Sequence, residues 1–355
     1  MMADLFDNPM GTDGFEFVEY TAPDTDALGR LFDSMGFSAV ARHRSKRVTL
    51  FRQGGINFIV NAEPDSFAQS FARVHGPSVC AFGIRVRDAS AAFKRAVALG
   101  ARAYDGPVGP MELNIPAIQG IGGSLLYLID RYGPRTIYDV DFVPVAGVDP
   151  DPKGVGLQYV DHLTHNVYEG RMDTWAEFYA KLFNFREIRY FDIKGKKTGL
   201  TSRALTSPCG KIRIPINEPS DKKSQIQEYL DAYNGEGIQH IALACANIYE
   251  TVEALRARGV RFLDTPDAYY ALVNKRVPNH GEDLERLKKN KILIDGEGLD
   301  KESKEDKLLQ IFTDTVIGPI FFEVIQRKGN EGFGEGNFKA LFEAIEADQI
   351  ARGVI

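Results

Sequence analysis

Three residues of this chain are of types that bind metals: His162 in DHLTH, His240 in GIQHIAL and Glu323 in FFEVIQ. Each sits in a short apolar run that reads as a strand. Two imidazoles and one carboxylate on one face leave three positions of an octahedral metal open. That arrangement suits a non-haem iron(II) taking an organic chelate and dioxygen together. The set contains no thiolate, which argues against structural zinc. The ligands are separated by 78 and 83 residues, too far apart for a helical pair, so they must converge through tertiary structure. A carboxylate in PIFFEVIQ is costly unless it is bound to metal or paired, and Arg327 or a lysine is the alternative partner. DHLTH also offers His165. Residues three apart on a strand face opposite sides, so His162 and His165 cannot both enter one cavity.

The elements that would position these groups repeat. AFGIRVRDASAAFKRAVALG (81–100) and HIALACANIYETVEALRARG (240–259) each read as a strand, an N-capping residue (Asp88, Asn247) and a helix stopped by glycine (Gly100, Gly259), at a constant offset of 159. SLLYLIDRYG (124–133) matches PIFFEVIQRKG (319–329) at an offset of 196, with Arg131 on Arg327. GFEFVEYTA (14–22) matches YVDHLTHNV (159–167) more loosely. At matched places His162 stands against Phe17, His240 against Ala81 and Glu323 against Tyr127. Packing alone does not explain why three separate strands carry metal-binding groups in one half and an aromatic, a methyl and a phenol in the other.

The repeats predict an α+β fold of two tandem open β-barrels built from paired strand–helix–strand–strand–strand modules, with helices outside. Residues 1–147 read as a non-metal domain serving as scaffold and subunit interface. Residues 155–355 read as the metal-binding domain, and Pro- and Gly-rich 143–156 reads as a linker. The later half carries 37 extra residues, mostly in 264–308, whose charges read as a solvated helix and loop. GNFKALFEAIEADQI reads as a terminal amphipathic helix.

Composition narrows the class. The chain has 355 residues, 44% hydrophobic and 26% charged, with a net charge of −6, so a nucleic-acid role has no basic face to rest on. An anionic substrate would need local capture, because the global field weakly repels it. Neither a membrane span nor a signal peptide is expected. Cys80, Cys209 and Cys245, odd in number and far apart, read as reduced thiols and suggest a cytoplasmic protein.

The stretches DHLTHNVYEGRM, IPINEPSDKKSQIQEYL, GEGIQHIAL, LLQIFT, FFEVIQRKG and GFGEGNFKALFEAIE, in that order, resemble the 4-hydroxyphenylpyruvate dioxygenase family of the vicinal-oxygen-chelate superfamily. The resemblance spans essentially the whole chain. It implies one Fe(2+) per chain on His162, His240 and Glu323, which leaves His165 out. It also implies that 4-hydroxyphenylpyruvate and dioxygen give homogentisate and carbon dioxide in tyrosine catabolism. Around the substrate it implies Ser202, Asn217 and Gln225 near the phenol and Gln239 and Gln310 near the metal and keto acid. Phe312 and Phe321 would be aromatic walls, and Phe333, Asn337 and Phe338 would belong to a C-terminal helix closing the barrel. A homo-oligomer, dimer or tetramer, is expected from relatives. The competing readings are 4-hydroxymandelate synthase, with the same ligands and substrate, an extradiol ring-cleaving dioxygenase, and a non-catalytic binding module. Asn217 in PINEP and the phenylalanine-rich wall look more like the dioxygenase.

Overall fold

In the computed structural model, residues 3–109, 111–194, 199–299, 305–334, 336, 337, 339, 350 and 353 are described. The first module runs β1 (Phe15–Thr21), α1 (Thr25–Ser34), β2 (Ser38–His43), β3 (Val48–Gln53) and β4 (Ile56–Asn61). After α2 (Phe67–His75), the same order recurs in β5 (Ser78–Arg85), α3 (Ala89–Ala98), β6 (Ala103–Tyr104), β7 (Ala117–Gln119) and β8 (Leu125–Ile129). A short α4 (Tyr138–Asp141) and β9 (Phe142–Pro144) follow. These strands form one nine-stranded sheet ordered β6-β7-β8-β5-β1-β4-β3-β2-β9.

The second half repeats the plan with β10 (Leu157–Asn166), α5 (Met172–Phe183), β11 (Arg186–Lys194), β12 (Gly199–Thr206) and β13 (Arg213–Pro219). A linking helix α6 (Gln225–Tyr233) leads to β14 (Gly237–Cys245) and α7 (Ile248–Ala257). Then come three short helices, α8 (Asp267–Ala271), α9 (Val273–Arg276) and α10 (Leu284–Asn290), before β15 (Leu293–Leu299), β16 (Glu305–Phe312) and β17 (Phe321–Lys328). Their sheet is ordered β11-β12-β13-β10-β14-β17-β16-β15. The α+β architecture of paired strand–helix–strand–strand–strand modules is the expected one. The helix punctuation also holds. Asp88 accepts from the Ala91 amide at 2.8 Å and Asn247 from that of Glu250 at 3.3 Å, and Gly100 and Gly259 follow their helices at φ of 97° and 88°.

Register supports the matching of the halves. Phe17 lies opposite Gly83, and Gly83 opposite Tyr127; His162 lies opposite Ala242, and Ala242 opposite Glu323. In the first half the inner face is filled by a cluster that includes Phe17, Val40, Leu50, Ile59 and Ile129, with Phe17 and Tyr127 ring centroids 5.7 Å apart. A Cβ on Gly83 would come within 2.8 Å of the Phe17 ring, so glycine there makes room for the aromatic plug. In the second half the same central strand presents Ala242 and Ala244, whose methyls leave space between β10 and β17.

The outer faces and helices of both halves join in one core, running from Met10 to Val324. Within it Phe58 of β4 stacks on Phe322 of β17, centroids 5.9 Å apart. Each such ring removed from water contributes roughly 1.5–3 kcal/mol. Because Phe322 adjoins Glu323 in a strand, packing outside the barrel fixes which residue points inside.

Two sequence expectations change, and a third falls mostly outside the described residues. Val143 and Pro144, read as linker, pair with Arg42 and Ala41 and so form the edge strand β9. The 264–308 segment is not simply a solvated face. Lys307 is buried, with its ammonium 2.9 Å from Glu282 and 3.1 Å from Glu305, and Lys328 meets Glu282 at 2.7 Å. Gly336 and Asn337 are helical, but Phe338 and most of the expected terminal helix lie outside the described residues.

Gly122 adopts φ +58°, and a Cβ there would meet the Glu236 carbonyl oxygen of the other half at 1.9 Å. Gly122→Ala combines left-handed strain with a backbone clash. The variant should lose more than about 2 kcal/mol of stability, read as a lower urea midpoint.

Candidate metal centre

The strand register brings His162, His240 and Glu323 together at the barrel interior, all buried, with ligand atoms within 4.8 Å of one another. Glu323 Oε2 lies 3.2 Å from His162 Nε2 and 3.4 Å from His240 Nε2. The far nitrogens are already engaged. His162 Nδ1 is 2.9 Å from Asp161 Oδ1, and His240 Nδ1 is 3.1 Å from Gln239 Oε1. Each of those oxygens accepts, so each Nδ1 carries the proton and each Nε2 presents a lone pair. Two imidazole lone pairs and a carboxylate oxygen thus converge out of water, and a cation is what such an acceptor-only set fits. All three donors are hard or borderline, in keeping with a divalent transition metal of octahedral preference.

Burial works against the charged form of Glu323, but the histidines in their protonated form, whose charge a bound cation would replace, outweigh it and hold the carboxyl at about 2. Burial likewise opposes protonation of His162, yet Glu323 and Asp161 raise its pKa overall. His240, which lacks a second carboxylate, is lowered by burial.

Asp161 is itself clamped. Arg327 donates from Nε to Oδ2 and from its Nη2 to Oδ1, both at 2.8 Å, and also donates to the Asn330 and Gly332 carbonyls. Burial penalises the Asp161 carboxylate, but Arg327 keeps its pKa well below the ordinary range. The sequence left Arg327 as a possible partner of Glu323; it pairs instead with Asp161 across the small residues of β14. Glu323 takes its second hydrogen bond from Gln310, whose amide nitrogen donates to Oε1 at 2.7 Å. Neither Asp161 nor Thr164, whose hydroxyl lies 2.9 Å from His240 Nε2, was singled out in the sequence. The DH dipeptide preceding an apolar strand was the available signal for Asp161.

His165 has a different environment. It faces the shared core, its Nε2 is 2.6 Å from the Tyr179 hydroxyl, and burial lowers its pKa to about 3. It is a neutral core histidine on the opposite face from His162.

A small cavity opens beside the triad, lined by His162, His240, Glu323 and Gln310 together with Thr164, Phe191, Ser202, Pro215, Phe312 and Phe333. Among the residues expected around a substrate, Ser202, Gln310, Phe312 and Phe333 therefore line it. Ser202 is the register partner of Asn217, and Asn217 that of Asn166. Asn217 donates to Asn166 Oδ1 at 3.2 Å, while Asn217 Oδ1 and Asn166 Nδ2 are buried without partners among the described residues. One spare acceptor and one spare donor complement a hydroxyl, which can both give and receive. Asn166 was not read from the sequence.

Other expected residues act at one remove. Gln239 holds His240 and is not in the cavity lining. Phe321 stacks on the His240 ring at 4.8 Å and 20°. Asn337 is buried and donates to Gln310 Oε1 at 3.0 Å. Gln225 is the buried first residue of α6.

If Asp161 fixes the His162 tautomer, Asp161→Asn should weaken divalent metal binding by about 10–100-fold. Cobalt(II) titration of the metal-free protein checks this; unchanged affinity would remove Asp161 from the site.

Comparison with known proteins agrees with this geometry. Residues 6–143 match the family model described as hydroxyphenylpyruvate dioxygenase, N-terminal, and residues 159–274 that of the glyoxalase/bleomycin resistance protein/dioxygenase superfamily. A Vibrio vulnificus protein named hemolysin VllY is 63% identical over 98% of both chains. The 4-hydroxyphenylpyruvate dioxygenase of Pseudomonas aeruginosa is 60% identical over 98% of this chain and 97% of its own. A solved mutant of 4-hydroxymandelate synthase from Streptomyces coelicolor has a TM-score of 0.83 at 28% identity, covering 96% of this chain and 100% of that one. With near-complete coverage at such identity, this chain belongs to the 4-hydroxyphenylpyruvate dioxygenase family.

Proposed function

We infer that this chain is a 4-hydroxyphenylpyruvate dioxygenase, converting 4-hydroxyphenylpyruvate and dioxygen to homogentisate and carbon dioxide with one iron(II) held by His162, His240 and Glu323. The observation that carries the reading is the buried acceptor-only triad opening on a cavity lined by phenylalanines, in a chain 60% identical to an enzyme of that name. When bound, iron(II) supplies chelation of the keto acid and the redox chemistry with dioxygen.

The protein's own residues place the organic substrate. Phe312 and Phe333 offer flat apolar walls that exclude water. At a distance from the triad, Ser202 lines the cavity and Asn217 sits beside it in register with a spare buried acceptor, which suits the phenol. Gln310 adds an amide next to Glu323 without adding charge. Capture of the anionic keto acid needs no basic patch, since the metal site supplies the positive charge.

Residues 155–355 are read as the catalytic domain. Residues 1–147, plugged by Phe17 and Tyr127, are read as scaffold and oligomerisation surface of a dimer or tetramer. Three free cysteines suit a reducing cytoplasm. Among the described residues no helix is long and apolar enough to cross a membrane.

Iron(II)-loaded protein supplied with 4-hydroxyphenylpyruvate should release one carbon dioxide per homogentisate; 4-hydroxymandelate as product would assign it to the synthase instead. His240→Ala and Glu323→Ala should abolish iron retention and turnover, whereas His165→Asn should keep the iron. Removal of the Asn217 amide (Asn217→Ala) should raise KM about 5–150-fold for 4-hydroxyphenylpyruvate, the worth of a lost buried hydrogen bond. Phenylpyruvate, which lacks the hydroxyl, should be affected much less.

A further inference from the structure

The segment that the second half adds between α7 and β15 ends at the metal site. From α8, Tyr269 Oη is 2.7 Å from Asn337 Oδ1; from α9, the Arg276 guanidinium donates to Tyr269 Oη at 2.7 Å and lies over its ring at 4.6 Å. Asn337 donates to Gln310 at 3.0 Å, and Gln310 donates to Glu323 Oε1 at 2.7 Å. These contacts form one chain: Arg276, Tyr269, Asn337, Gln310, Glu323.

Its direction is fixed by its ends. A guanidinium can only donate and a carboxylate can only accept, so neither amide can be turned round without breaking a link. The tyrosine hydroxyl follows the same sense. It accepts from the Ile294 amide at 2.9 Å and from Arg276, which occupies its lone pairs. Its single proton has two acceptors in reach, Asn337 Oδ1 and the Ile294 carbonyl at 2.9 Å. Arg276 also donates to both of these oxygens, and Asn337 Oδ1, at 2.7 Å, is the nearer to the hydroxyl, so the tyrosine proton goes to Asn337. Four successive donations run toward Glu323, the first two half-buried and the last two buried, and they polarise one another.

The geometry points to Tyr269 and Arg276 as positioning residues for the metal-binding carboxylate. By anchoring Gln310 on Oε1, the chain turns Glu323 so that Oε2 alone faces both histidines. Glu323 would then offer a metal Oε2, with Oε1 held by the Gln310 amide. Because Gln310 also donates to the Phe333 carbonyl, and Asn337 is helical, the same chain ties the start of the terminal segment to the metal ligand.

This rests on the triad being the iron site, so the wild-type protein is measured alongside the variants. Full-length protein is loaded anaerobically with iron(II), and its loss to a chelator is followed, with the urea midpoint of the metal-free form recorded in parallel. Wild type that holds no iron would overturn the site itself. Given wild-type binding, Tyr269→Phe and Arg276→Met should each weaken iron retention about 10-fold or more. Arg276→Lys, which keeps a cationic donor, should stay close to wild type. The cobalt(II) visible spectrum should change in the first two variants as the carboxylate rotates. Wild-type retention and an unchanged spectrum in Tyr269→Phe and Arg276→Met, with only the urea midpoint lowered, would overturn the proposal and reduce both residues to packing. If Tyr269→Phe fails to fold, the Arg276→Met and Arg276→Lys pair decides by the same two readouts.

Discussion

Three acceptor atoms, two imidazole Nε2 and one carboxylate Oε2, meet inside a barrel, with the carboxylate oxygen 3.2 and 3.4 Å from the two nitrogens. Without a cation this would leave a buried charge answered only by hydrogen bonds, at a cost of several kcal/mol. The surrounding fold makes that convergence unavoidable. Phe322 and Leu163 in the shared core hold the outer faces of their strands, so their neighbours Glu323 and His162 must point inward. Between them Ala242 contributes only a methyl. In the first half the equivalent layer holds Phe17, Gly83 and Tyr127, and the two rings fill the space between the strands.

The arrangement around the triad divides labour by charge. His162 is backed by an ionised aspartate held by Arg327, and His240 by a neutral amide. Glu323 is backed by an amide that donates to it. Every far atom of the ligand set is therefore occupied, and the near atoms have one orientation. The two anchoring groups, Arg327 and Gln310, also hold the segment from Asn330 to Phe333. Ligand geometry and the covering of the cavity thus share the same hydrogen bonds.

Much of this was legible in the sequence because it repeats or because it is local. Asp88 and Asn247 with their following glycines marked the helices, and the comparison of halves singled out three candidate metal-binding positions, of which the register matches His162 to Phe17 and Glu323 to Tyr127. What was not legible depends on which strands become neighbours. Nothing near Arg327 in the chain announces that it crosses β14 to Asp161, and nothing in the charged 264–308 stretch distinguishes the buried Lys307 or the half-buried Arg276 from solvated side chains. Val143 and Pro144 looked like linker because edge-strand pairing is set by the partner strand β2. Gln239 was placed near the metal by resemblance, but only the structure assigns its oxygen to the rear nitrogen of His240.

The claim on which the rest stands is that a metal sits between these atoms. Anomalous diffraction at the iron edge, from crystals of anaerobically iron(II)-loaded protein, tests it directly. The account requires one peak per chain within bonding distance of His162 Nε2, His240 Nε2 and Glu323 Oε2. A peak elsewhere, or none at the triad in fully loaded protein, would contradict it.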